Sequence, residues 1–123
     1  PAVVWDNGGQ EWYIHGLHHR DFDLPAVVWI NGGKYWMKHN KYHRDGDEPA
    51  FIGKDGAQKW FKDGKEHRDN DLPAVIYPNG YQAWYKFGKR HRDGNMPAII
   101  HPGGEQIWYI DGIFVYTNYL ELS

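Results

Sequence analysis

Four copies of the triplet His-Arg-Asp put an imidazole, a guanidinium and a carboxylate on adjacent residues. They are His19, Arg20 and Asp21; His43, Arg44 and Asp45; His67, Arg68 and Asp69; and His91, Arg92 and Asp93. A further carboxylate or amide stands two residues beyond each Asp, at Asp23, Asp47, Asp71 and Asn95. Imidazole nitrogen and carboxylate oxygen are ligand types for divalent cations, so one reading is a row of cation sites. Each copy offers at most three such ligands, however, at a spacing that fits neither a calcium loop nor a zinc motif. No metal site and no cofactor is therefore expected. The favoured reading is structural. In an extended segment His67, Asp69 and Asp71 share one side and Arg68 takes the other, so Arg68 should reach a carboxylate of a different copy. Such Arg–Asp pairs would form a ladder between copies, with His satisfying backbone groups of the loops. The Asp-x-Asp steps also suit turns in which these side chains bond their own backbone.

What must position the triplets is a repeat. Pro-Ala opens a copy at Pro1, Pro25, Pro49, Pro73 and Pro97, an unbroken period of 24 residues. A Trp follows at the same place in each copy, at Trp12, Trp36, Trp60, Trp84 and Trp108. A strict period of this length marks a stacked array, in which one small unit recurs and each copy completes its neighbour's core. His-Arg-Asp also occurs in the catalytic loop of protein kinases, but a kinase needs a nucleotide-binding lobe, a strand lysine and a metal-binding Asp in a much longer chain. Catalysis needs one asymmetric site, and no nucleophile and base are arranged here once only. The chain is not expected to be an enzyme.

Fifteen Gly and seven Pro in 123 residues leave little room for an ordinary helix, and the expected class is all-β. Each copy starts with a short β-branched or aromatic run, such as Ala74-Val75-Ile76-Tyr77, with proline at the first position, where a missing donor does least harm. Asn-Gly, Asp-Gly or Gly-Gly follows, as at Asn79-Gly80, and suits a tight hairpin turn. A second strand carries the Trp on one face and Tyr13, Met37, Phe61, Tyr85 or Tyr109 on the other. A second turn comes at His15-Gly16, His39-Asn40, Asp63-Gly64, Phe87-Gly88 and Asp111-Gly112, where Asn40 in place of Gly indicates a left-handed backbone. The polar segment after it, such as Lys65 to Leu72, reads as a short extended stretch and a loop.

Two strands per copy at ~4.8 Å each advance the array by about 10 Å per copy, so the expected object is an elongated antiparallel hairpin ribbon. Val4, Val28, Ile52, Ile76 and Ile100 are expected to fill the spaces between the Trp rings. Five repeats occupy residues 1–112, and residues 113–123 form a tail in which Ile113 to Leu122 reads as a strand capping the last copy. The first strand should be an open edge.

The succession NGYQAWYKFGKRHRDG from Asn79 to Gly94, with its counterparts DGAQKWFKDGKEHRDN and NGGKYWMKHNKYHRDG, resembles the MORN repeat. That pattern has an Asp-Gly or Asn-Gly turn, an aromatic strand and Gly-Lys-x-His. The resemblance covers residues 1–112. These units have 24 residues where the family usually has 23, and Arg-Asp follows the His where the family often has Gly. The resemblance implies an elongated antiparallel sheet that serves scaffolding, tethering and assembly, sometimes beside membranes.

Fourteen basic and sixteen acidic residues give a formal net charge of −2, interspersed without runs, so nucleic acid is not an expected partner and membrane contact has no support from charge. No Cys is present, which excludes disulfides and thiolate metal sites but assigns no compartment. No apolar run approaches the ~20 residues of a membrane-spanning helix. Opening on Pro1 at a repeat boundary, the chain is expected to be a processed or excised part of a longer one, and a targeting segment could have been lost with the rest. The expected function is a structural module that tethers protein partners or self-associates through its sheet edges. The alternative is a glycan- or lipid-headgroup-binding module using Tyr13, Phe61, Tyr85 and Tyr109 as an aromatic strip.

Overall fold

A computed structural model describes residues 2–119, and every regular element in it is a strand. The first copy contributes β1 (Ala2–Val4), β2 (Gln10–Ile14) and β3 (Leu17–His18). The second contributes β4 (Val27–Val28), β5 (Lys34–Tyr35), β6 (Met37–Lys38) and β7 (Lys41–Tyr42). Copy three repeats this with β8 (Phe51–Ile52), β9 (Gln58–Lys59), β10 (Phe61–Lys62) and β11 (Lys65–Glu66). Copy four has β12 (Val75–Ile76), β13 (Gln82–Ala83), β14 (Tyr85–Lys86) and β15 (Lys89–Arg90). The fifth has β16 (Ile99–Ile100) and β17 (Glu105–Ile110), and β18 (Ile113–Tyr119) ends the description.

The main sheet is open and antiparallel, in the order β1-β2-β4-β5-β8-β9-β12-β13-β16-β17-β18, with β3 attached to β2. It is an all-β hairpin array, and each internal copy adds two strands to it. The polar segment after the second turn is more regular than its composition suggests. It forms the short strands β7, β11 and β15, which pair with β6, β10 and β14 as a second row of hairpins. These hairpins also stack on one another. The N–H groups of Asn40, Gly64, Gly88 and Gly112 donate to carbonyls of the preceding copy at 2.8–2.9 Å. Gly64 and Gly88 combine φ near +83° with a close approach, since a Cβ there would lie 3.6 Å and 3.4 Å from the stems of Lys41 and Lys65. A pattern of exposed Lys beside polar residues hides such a strand, because its partners are backbone groups of the next copy.

At each internal joint the middle strand breaks at its Trp. The backbone N–H groups of Trp36, Trp60 and Trp84 leave their own hairpins and donate to the carbonyls of Ala50, Ala74 and Ala98 in the following copy at 2.7 Å. Their carbonyls turn back to accept from His43, His67 and His91 of the same copy at 3.1 Å. One residue thus serves both rows, and the ring is carried into the interior: Trp36, Trp60 and Trp84 are buried. Ala26, Ala50, Ala74 and Ala98 have no exposed surface.

The expected aliphatic filling is displaced by one residue. Val27, Val75 and Ile99 are buried, whereas Val28, Ile52, Ile76 and Ile100 are half-buried and Val4 is exposed. Alternate strand residues face opposite sides, so an error of one in phase exchanges the entire row. The outer face of each Trp is covered by something other than an aliphatic side chain, as described below.

Where the sequence suggests a capping strand, β18 pairs along β17 from Ile110↔Ile113 to Glu105↔Tyr119. Residues 120–122 of the expected cap, the last tail residue and Pro1 lie outside the described residues. Ile113, Phe114, Val115 and Tyr116 are exposed, so this strand carries exposed apolar side chains on both of its faces. Because Ala74 fills its site completely, Ala74→Leu is expected to overpack the joint and to cost about 1–3 kcal/mol. A lowered urea midpoint at unchanged slope is the measurement that checks it.

Candidate functional site

The triplets lie at the joints, and their Arg side chains reach furthest. Arg44 places its guanidinium carbon 3.9 Å from the centre of the Trp36 ring. Its Nε and Nη2 donate to the two carboxylate oxygens of Asp23 at 2.7 and 3.2 Å, and its Nη1 donates to the Pro49 carbonyl at 3.1 Å. Arg68 repeats this with Trp60 at 3.8 Å, Asp47 at 2.8 and 3.2 Å, and the Pro73 carbonyl at 3.1 Å. Arg92 does so with Trp84 at 3.9 Å, Asp71 at 2.8 and 3.3 Å, and the Pro97 carbonyl at 3.2 Å. Each of these arginines touches three successive copies. A bidentate pair, a carbonyl bond and a stacked ring use the planar fork in ways a lysine cannot reproduce.

The carboxylate in the ladder is thus not that of the triplet but the one two residues beyond it. Nor do these side chains bond their own backbone, as the Asp-x-Asp steps suggested. The triplet carboxylate serves its own imidazole instead: Nε2 of His19, His43, His67 and His91 lies 2.7–2.8 Å from Asp21, Asp45, Asp69 and Asp93. Nδ1 of each accepts a backbone N–H from the next copy, from His39, Asp63, Phe87 and Asp111, at 3.0–3.2 Å. In His19 and His67 this places the proton on Nε2, facing the carboxylate. Both ring nitrogens are engaged, so the imidazoles have none to offer a substrate or a metal. Among the described residues no group of three or more His, Asp or Glu side chains is placed to hold a metal ion.

The first and fifth copies differ from the three between them. Arg20 stacks on Trp12 at 3.6 Å and donates to the Pro25 carbonyl at 3.3 Å. At the other end, position 116 is where a fifth Arg would fall, and Tyr116 stands there instead. Its ring stacks on Trp108 at 4.3 Å, with 11° between the planes. With no guanidinium at 116 to meet, the matching carboxylate position is Asn95. That pairing of changes is the signal in the sequence that identifies the second carboxylate as the partner of the next Arg.

Tyr13, Met37, Phe61, Tyr85 and Tyr109 are half-buried rather than laid out as an open strip. Side chains of β3, β7 and β15 cover three of them. His18 lies 4.4 Å from Tyr13, Tyr42 lies 4.9 Å from Phe61, and Arg90 donates to the Tyr85 hydroxyl at 3.3 Å. Other rings are more exposed, among them Phe22, Phe87 and, beside the first turns, Trp5 and Trp29.

One joint is irregular. The indole N–H groups of Trp36, Trp84 and Trp108 donate to the carbonyls of Asp23, Asp71 and Asn95 at 3.0–3.1 Å. Those three acceptor residues have left-handed backbones, with φ of 55–57°. Asp47, the equivalent residue before Trp60, does not share that conformation, and the buried Trp60 N–H has no partner. Trp84→Phe removes a hydrogen bond and leaves a carbonyl without its donor, whereas Trp60→Phe removes an unpaired buried donor. Trp60→Phe is therefore expected to be the less destabilising by about 1–3 kcal/mol in urea titrations.

The arginine bonds hold the carboxyls of Asp23, Asp47 and Asp71 below their ordinary value of 3.8. The His43 and His91 bonds do the same for Asp45 and Asp93. Carboxylates that bind protons less readily when folded contribute stability above about pH 4 and lose it as pH falls through their lower folded values. The melting temperature is expected to fall below about pH 4. The fall should be shallower in a variant carrying Asp23→Asn, Asp47→Asn and Asp71→Asn, as measured by circular dichroism.

No family model matches this chain, and no curated protein matches it.

Proposed function

We propose that the chain is a non-enzymatic β-repeat module that tethers or assembles protein partners. The observation that carries this reading is the engagement of the rows with chemistry in them. Each internal Arg is spent on three copies, and each imidazole on a carboxylate and a backbone N–H. Side chains used in this way join copies together, and the imidazoles are not free to act as general bases. The strict period adds support, since a uniform ribbon presents the same features at fixed intervals to a partner. So do β1 and β18, at the two ends of the main sheet, where Val3, Val4, Ile113 and Phe114 are exposed beside strand edges that are unpaired among the described residues and that another chain could extend. The likeness of the Asn-Gly to Gly-Lys-x-His motifs to MORN repeats is a further, independent support.

Capture of chemically cross-linked partners on the tagged intact protein, followed by identification of what is retained, tests the proposal. Protein partners, or the chain itself, are expected in stoichiometric amounts. Arg68→Gln is expected to lower the melting temperature by several degrees while leaving capture intact at temperatures where the variant is folded. A turnover activity abolished by that substitution without loss of stability would overturn the reading.

A further inference from the structure

Beside the first turns of the first two copies stand two exposed tryptophans, Trp5 and Trp29, at 52% and 44% exposure. A cavity of about 510 Å³ is bounded by both rings. Asp6 and Glu11 also line it, and no lysine or arginine does. Glu11 accepts the Trp5 N–H at 2.8 Å and bonds His18 at 3.1 Å. Glu11, Val27 and Tyr35 stand opposite one another across strands, so Trp5 and Tyr35 belong to one face of the main sheet. Beyond the cavity that face stays aromatic. The Trp29 ring meets Tyr35 edge-on at 6.2 Å, and Tyr35 stacks on its cross-strand partner Phe51, in the third copy, at 5.1 Å.

We propose that this face seats a proline-rich segment of a protein partner in the polyproline II conformation, with a Lys or Arg beside its prolines. Three properties select that partner. Polyproline II turns once in three residues of about 3.1 Å each, or about 9 Å, while the main sheet adds two strands, about 10 Å, per copy. One turn therefore meets one copy, whereas an extended strand, repeating about every 7 Å, falls out of step. Donors make the second case. Trp5 spends its N–H on Glu11, but Trp29 makes no such bond among the described residues. A polyproline segment has no internal hydrogen bonds, so its carbonyls are free to accept from Trp29, while a helix has used its own. Proline also fixes this conformation in advance, so little order is lost when the segment docks on aromatic rings. Third, Asp6 and Glu11 favour a cation beside the prolines and repel an acidic segment or a phosphodiester chain. The inference rests on the tethering role and names the chemistry of the partner.

The test is a calorimetric and NMR titration of the intact protein with a proline decapeptide carrying one arginine. Compared with it are the same peptide with glutamate for arginine, a glycine–serine peptide with the arginine, and a β-linked glucose hexamer. The expected result is saturable binding of the arginine peptide with a shift of the Trp29 indole resonance, weaker binding of the glutamate form and none of the other two. Trp29→Phe is expected to weaken binding by about five- to tenfold, the worth of one hydrogen bond, and Trp29→Ala to abolish it. The ring is exposed, so the melting temperature of both variants should change little. Should Trp29→Ala fail to fold, Trp29→Phe and the glutamate peptide decide. No saturable binding, equal binding of the glycine–serine peptide, binding indifferent to Trp29, or a preference for the glucose hexamer would each overturn the proposal. If the cross-linking capture retains protein partners while the proline peptide fails to bind, this inference falls and the tethering role stands.

Discussion

The fold rests on a guanidinium held flat against a tryptophan while it bonds a carboxylate behind it and a carbonyl ahead of it. A ribbon two strands wide per copy has no deep interior, and its fully buried side chains are alanines. Hydrophobic burial at the level of a single copy is small, so cohesion must come from contacts that cross copies. The cation–π contact contributes about 0.5–2 kcal/mol and a charge-assisted hydrogen bond about 1.5–3 kcal/mol where water is partly excluded. Exposed carboxylates place the pairs nearer the lower end of that range. What the arginine adds beyond energy is register. A planar fork with donors in fixed directions can satisfy all three copies only when they are stacked in one way.

The backbone makes the same connection by a different route. At each internal Trp the N–H goes forward to the next copy and the carbonyl goes back to the His of its own, so the two rows of hairpins diverge at that residue. The Trp side chain then sits in the angle between the rows, and the Arg closes its open side. Imidazoles act beside this as short struts, each held on Nε2 by a carboxylate and accepting the next copy's N–H on Nδ1. The joint is a single connected network, in which loss of one member leaves others unpaired.

How the array ends follows from the same rule. A joint needs a copy on both sides, and the chain substitutes where one is missing: Tyr116 takes the guanidinium's place over Trp108, and Asn95 stands where an aspartate would have had no cation. The irregular loop at Gly46–Glu48 is the opposite case, since it departs from the pattern with copies on both sides and leaves Trp60 without an acceptor.

The period, the hairpin turns and the all-β class were determined by the sequence alone, because glycine and asparagine at fixed offsets and proline at each strand start act locally and need no knowledge of the neighbours. That Arg68 would leave its own copy was legible for the same reason, from the alternation of an extended chain. The identity of its partner is not carried by any single copy, since Asp47 and Asp45 are chemically alike; in the sequence only the paired change at Asn95 and Tyr116 distinguishes them, and the stacking distance between copies selects the former. The phase of the aliphatic row, the short strands β7, β11 and β15, and the covering of Phe61 by Tyr42 were decided in the tertiary structure too, because each depends on backbone or side chains brought from the adjacent copy. A repeat makes its own unit easy to read and conceals what lies between units, for contacts across a joint are set by geometry that no single copy contains.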